Sequence, residues 1–186
     1  ILYHKEKKMK NKKFFHDNAA NFVTFCNMLA GAISIIMSLN GKFRMAMAFI
    51  IIASIADRYD GRVARKLNTD SELGVQMDSM GDVISFGVAP AILVYTFRIM
   101  PLEGTIRIIG SISTMIYICA GAFRLARFNV DGMDEDNSFS GMPIPIAGLI
   151  IVAMLMFGHK IGIIPIIIAE FILAMVMISK IKIKKK

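Results

Sequence analysis

Apolar and polar positions along this chain fall in long blocks rather than in short alternating runs. Residues 21–40 contain no charged side chain, and neither do residues 141–158. Runs of that length match the ~20 residues with which a helix crosses a hydrocarbon core. Three shorter uncharged runs lie between them, at 45–56, 83–97 and 108–123. The pattern predicts helices near 20–39, 44–66, 73–98, 105–129, 143–159 and 161–180. Ser38 and Asn40 stand where the first helix should end, and the one strongly polar connection is 131–138, Asp131-Gly-Met-Asp-Glu-Asp-Asn-Ser138. The expected fold is all-α: a polytopic membrane domain of about six spans over 20–186, preceded by a basic interfacial segment at 1–19.

Composition narrows the class. Of 186 residues, 55% are hydrophobic and 19% charged, whereas soluble domains carry about a quarter charged residues. A soluble enzyme, a disordered chain and a secreted disulfide scaffold are excluded on that basis. Cys26 and Cys119 both fall inside apolar runs without metal-ligand spacing, and read as small packing residues. The formal charge of +8 does not point to nucleic acid, because the lysines flank spans: six between Lys5 and Lys13, five between Lys180 and Lys186. Anionic headgroups and membrane insertion favour that placement. The N-terminal segment is expected not to be a cleavable signal, since its apolar run is long and more spans follow. With the N-terminus inside, inner segments hold 17 of the 22 Lys and Arg residues and outer segments 5. This predicts cytoplasmic N- and C-termini in a cell membrane.

The three short runs share a property. Each is cut at its inner end by charge: Asp57 and Asp60 after 45–56, Asp78 and Asp82 before 83–97, Arg124 and Arg127 after 108–123. An ionisable group at membrane depth costs ~2.5–3.5 kcal/mol on insertion scales, so such groups face partners or a watery cavity. Three helices placing them at one depth predict a charged pocket open to the cytoplasmic interface. At ~100° per residue, Asp57, Asp60, Gly61, Ala64 and Arg65 share one helix face, and Gly74, Asp78 and Asp82 stack on another. Four converging carboxylates need cations. Hard oxygen donors select Mg²⁺, Mn²⁺ or Ca²⁺, and four could hold two ions side by side. Two metals with Arg65 suit a polyanion such as a pyrophosphate, and Gly61 and Ala64 leave room for it.

The stretch Asp57-Arg-Tyr-Asp60-Gly61-Arg-Val-Ala64-Arg65, then Gly74, Asp78 and Asp82, resembles the signature of the CDP-alcohol phosphatidyltransferases at every fixed position. The resemblance implies a homodimer that uses a CDP-activated lipid and divalent metal, Mg or Mn, to pass a phosphatidyl group to an alcohol, releasing CMP. It further implies that Asp57, Asp60, Asp78 and Asp82 ligate metal and that Asp82 is also the general base. Gly61, Arg65 and Ser71 would contact the CDP-lipid. Asn21-Phe-Val-Thr24-Phe-Cys-Asn27 is similar to the family's first-helix stretch that meets the nucleotide, which adds Asn21 and Thr24 to the donor site. Ala20 departs from the proline common there.

A second resemblance concerns the acceptor. Arg124-Leu-Ala-Arg127-Phe-Asn129-Val and Phe139-Ser-Gly141-Met-Pro143-Ile-Pro145-Ile-Ala-Gly148 are similar to the phosphatidylserine synthases within that family. L-Serine is a zwitterion, so its pocket needs a cation for the carboxylate and an acceptor for the ammonium. Arg124 and Arg127 are candidates for the first role; Asp131 or a carbonyl near Pro143-Ile-Pro145 for the second. Plainer readings stand beside these. The two arginines could be membrane anchors, residues 131–136 a solvated loop, the prolines and Gly148 a shape for the fifth helix, and Glu170 a structural or dimer contact. Glycerol phosphate or inositol phosphate would be the alternative acceptor, and a small transporter or non-catalytic assembly protein the reading outside enzymes.

Overall fold

The computed structural model describes residues 22, 24–67, 72–131, 138–157, 161–179 and 182–184, with side chains at 22, 24–59, 73–130, 141–157 and 161–179. Asn21 and Ser71 lie outside the described residues. Six helices follow in order: α1 Thr24–Leu39, α2 Phe43–Leu67, α3 from Glu72 to Ile99, α4 Gly104–Asp131, α5 Ile144–Met156 and α6 Ile163–Ile178. All six expected helices are present within a few residues of their expected ends. α1 stops as the sequence suggests. Asn40 Nδ2 donates to the Ile36 carbonyl at 2.8 Å, and Gly41, at φ 70°, supplies the left-handed turn a glycine adopts without strain.

Helices α3 and α4 are long and apolar enough to cross a membrane, over Leu73–Ile99 and Gly104–Val130, while α1, α5 and α6 are shorter apolar helices. Apolar stripes also point outward. Ile108, Ile112 and Met115 on α4, and Ile164, Ile168, Ile172 and Met175 on α6, are exposed. An isolated soluble chain would hide such stripes; lipid accepts them. The fold is that of a helical membrane protein.

One small departure from an all-helical chain occurs near the polar connection. Strand β1 Ser138–Ser140 pairs antiparallel with β2 Lys182–Lys184, Phe139 opposite Ile183. The Lys-Ile alternation from Lys180 to Lys184 has the period of two that a strand requires.

α3 occupies the centre, packed against α2, α4 and α5. It is not a uniform α-helix: π-helical turns run over Val83–Val88 and Tyr95–Ile99, on either side of Pro90. Proline has no N–H to give the carbonyl four residues before it. That carbonyl belongs to Phe86, and the buried Tyr117 hydroxyl of α4 donates to it at 2.9 Å. Gly148 of α5 lies against the same residue, where an added Cβ would stand 3.1 Å from the Phe86 oxygen. Tyr117→Phe is therefore expected to strand a buried acceptor and to destabilise the fold by about 1–3 kcal/mol. Thermal unfolding in detergent should show the lowered Tm; an unchanged Tm would mean that the freed carbonyl is satisfied without Tyr117.

α4 and α6 hold each other through a polar contact inside the apolar core. Glu170 is fully buried, and the Ser113 and Thr114 hydroxyls lie 2.8 Å and 3.3 Å from its carboxyl oxygens. The carboxyl is thus an internal structural partner of α4. Pro143 caps α5, and Pro145 falls in its first turn, where a missing N–H costs nothing. Those two prolines and Gly148 shape that helix.

Candidate active site

Asp57 enters from the C-terminal half of α2, and Asp78 and Asp82 from one face of α3, a helical turn apart. One carboxylate oxygen from each lies within 4.8 Å of the others. Asp57 and Asp78 are half-buried and Asp82 is buried. Asp60, Gly61 and Arg65 continue α2 in backbone; their side chains lie outside the described residues. Three of the four expected metal-binding carboxylates are therefore brought together. Three hard, anionic oxygen donors within that span suit a divalent cation, and the approach of like charges favours one.

α1 closes the site from the other side. Asn27, fully buried, directs its Nδ2 to Asp82 Oδ1 at 3.4 Å. A carboxylate only accepts, so the amide turns its NH₂ to Asp82 and its oxygen away. The Asn27 backbone carbonyl accepts from Ser85 Oγ at 2.9 Å, and Gly31 packs against Ser85 one turn further along α1. Small residues at these crossings let the helices approach closely. Thr24 is buried one turn before Asn27, with its carbonyl 3.8 Å from the place a Cβ on Gly81 would take.

The two arginines have different surroundings. Arg124 is 6% exposed, interacts electrostatically with Asp82 and lies over the Phe128 ring at 5.8 Å. Arg127 reaches sideways instead. Its Nη1 donates to the Ile178 carbonyl at 2.8 Å and its Nη2 to the Ser179 carbonyl at 3.2 Å. Those carbonyls end α6 and have no partner within the helix, so Arg127 caps α6. Asp131 is the last residue of α4, about two turns beyond Arg124; its side chain lies outside the described residues.

Three polar residues next to the site on α3 and α4 were given no role by the sequence, although Asn129 stood in the second resemblance. Ser79 Oγ, Asn129 Nδ2 and Gln76 Oε1 form a chain between α3 and α4, with Asn129 Nδ2 3.0 Å from Ser79 Oγ and 3.3 Å from Gln76 Oε1. They border a cavity of about 430 Å³ whose remaining lining is largely apolar, including Met28, Val83, Ile84 and Leu125. Asn27 is the residue that sequence reasoning left without a role, although it lies three residues after Thr24 on the same helix face. Its place at the end of the stretch 21–27 was the available signal.

A carboxylate cluster beneath a buried arginine, carried on that aspartate spacing, defines the class. The chain belongs to the CDP-alcohol phosphatidyltransferase family, whose model matches residues 17–181. Within it, the chain is 36% identical over 141 residues to the CDP-diacylglycerol–serine O-phosphatidyltransferase of Helicobacter pylori strain 26695, covering 75% of this chain and 58% of that protein. It is 35% identical over 162 residues to the Bacillus subtilis protein of the same name, 86% of each chain. It is also 36% identical over 140 residues to the archaetidylserine synthase of Methanothermobacter thermautotrophicus, 74% of this chain and 58% of that one. The chain thus spans little more than half the length of two of these relatives and most of the third.

Proposed function

We propose that this chain transfers a phosphatidyl group, or its ether-lipid equivalent, from a CDP-activated lipid to the hydroxyl of L-serine, releasing CMP. The observation that carries this reading is the convergence of Asp57, Asp78 and Asp82 within 4.8 Å, with a buried arginine beside them. The names of the relatives support serine as the acceptor. Asp82 takes the proton from serine's hydroxyl. The oxygen so freed bonds to the lipid-bearing phosphorus, and the bond from that phosphorus to the CMP oxygen breaks. Asp57, Asp78 and Asp82, with Asp60 by the family signature, would hold two divalent ions, Mg or Mn. When bound, these supply positive charge to the pyrophosphate and to the departing CMP. Gly61, Arg65 and Ser71 belong to the donor site by the family resemblance, and Asn21 and Thr24 by that of the first-helix stretch. The apolar cavity beside Ser79 is suited to a lipid chain.

Arg124 is the residue proposed to bind serine's carboxylate. A guanidinium matches a carboxylate with two parallel hydrogen bonds, which an ammonium cannot reproduce. Arg127 is a capping residue of α6, as its two carbonyl partners favour; Asp131, whose side chain lies outside the described residues, stands as the sequence reading left it. The protein is proposed to be a homodimer of six-span chains in the cell membrane, with both termini and the site on the cytoplasmic side, residues 1–19 at the interface and 20–186 forming the catalytic domain. Purified protein given CDP-diacylglycerol and a panel of alcohols tests the activity, with CMP release as the readout. L-Serine should be used far better than glycerol phosphate or inositol phosphate. Arg124→Lys should raise the serine KM by about 10-fold or more, the scale of a charge-assisted hydrogen bond, with the Kd for CDP-lipid unchanged. A native serine KM in that variant would remove Arg124 from the acceptor site.

A further inference from the structure

Among the described residues, two buried side-chain nitrogen or oxygen atoms have no hydrogen-bond partner: Asn27 Oδ1 and Arg124 Nε. Folded proteins rarely leave such atoms unsatisfied, because each costs about 1–3 kcal/mol. These two flank one residue. Asn27 is hydrogen-bonded to Asp82 from α1, and Arg124 interacts with Asp82 from α4. One orphan is an acceptor and the other a donor, both in side chains more than nine-tenths buried.

We infer that Asn27 and Arg124 together form a zwitterion-binding site around Asp82, in which the Asn27 carboxamide oxygen accepts from the acceptor's ammonium. This rests on the serine reading above and adds the group that selects an amino alcohol acid over other alcohols. Three groups on adjacent carbons of serine would meet three residues: the hydroxyl Asp82, the carboxylate Arg124, the ammonium Asn27. The Asn27 amide is oriented by its NH₂, which is turned to Asp82 and leaves the oxygen for another donor, while Ser85 holds the Asn27 backbone and Gly81 packs beside Nδ2. A preset acceptor of this kind rejects a ligand that brings no donor, because its oxygen then stays buried and unpaired.

The test compares L-serine with 3-hydroxypropanoate, which lacks only the ammonium, and with ethanolamine, which lacks only the carboxylate. Each is supplied to native protein, Asn27→Leu and Arg124→Lys in the presence of CDP-diacylglycerol. Native protein should favour serine over both analogues in kcat/KM. Asn27→Leu should reduce the preference over 3-hydroxypropanoate about tenfold or more and leave the preference over ethanolamine in place; Arg124→Lys should do the reverse. Asn27→Leu also removes a hydrogen bond to Asp82, but that loss falls equally on every acceptor and cancels in the ratio. If the variant fails to fold, Asn27→Ser fits the same space, is too short to reach the ammonium, and should lower the same ratio. A preference over 3-hydroxypropanoate that neither variant changes overturns the inference, as does a loss of CDP-lipid affinity equal to the loss of transfer, which would put Asn27 in the donor site. Native protein that uses another alcohol and ignores serine overturns the acceptor reading itself, a result visible before any variant is measured.

Discussion

Asp82→Asn should lower the rate of transfer to serine by about 10²-fold or more, the usual scale for loss of a positioned general base. The substitution is close to isosteric. Its remaining oxygen can still accept from Asn27 Nδ2, now 3.4 Å from Asp82 Oδ1, so the packing of α1 on α3 and one oxygen donor to metal are retained while the proton acceptor is lost. Asp57 and Asp78 share the cluster and are half-buried where Asp82 is buried. Asn variants of Asp57 should therefore weaken CDP-lipid binding as well as turnover, whereas Asp82→Asn should retain most of the binding. Equilibrium binding of CDP-lipid beside single-turnover CMP release separates the two outcomes. Turnover near the native rate in Asp82→Asn would place the base elsewhere.

Removal of divalent cations should abolish CMP release altogether, and Mg²⁺ or Mn²⁺ should restore it. Three carboxylates whose oxygens lie within 4.8 Å repel one another by about 4 kcal/mol per pair at a protein-like dielectric. The pyrophosphate of a CDP-lipid would add further negative charge to the same place. Arg124 alone, engaged with Asp82 from one side, is a small counterweight. Metal should also raise the Tm of the protein in detergent, since a ligand of the folded state alone stabilises it. Full turnover in excess chelator, with no metal-dependent shift in Tm, would contradict the assignment of these carboxylates.

The helices were readable because their information is local. Charge cuts each apolar block, so α2 and α4 could be bounded to within two residues. The aspartates were readable for a similar reason: a spacing of four along α3 puts Asp78 and Asp82 on one face whatever else packs there. What escaped was information held between distant positions. Nothing near Pro90 announces that the Phe86 carbonyl will be satisfied by Tyr117, 31 residues away. Arg127 looks like Arg124 in the sequence, and only the position of α6 assigns it to the Ile178 and Ser179 carbonyls. Asn27 stood at the end of the first-helix stretch similar to the one that meets the nucleotide, with no role of its own. Its meaning depends on Asp82, 55 positions along the chain. The Lys-Ile alternation of β2 was legible in principle, but a basic flank after a span is explained so readily by headgroups that its period passed unused.

The Glu170 contact has a consequence for how the chain is built. A carboxyl group in the middle of an apolar helix makes that helix a poor resident of lipid by itself, by roughly the ~2.5–3.5 kcal/mol quoted for acidic residues at a span's centre. α4, with Ser113 and Thr114 already in place, is the surface that relieves it. α4 precedes α6 in the chain, so the hydroxyl pair is made before its carboxyl. Helix α6 is therefore expected to enter a bilayer more readily beside α4 than alone, and Glu170→Leu should remove that dependence.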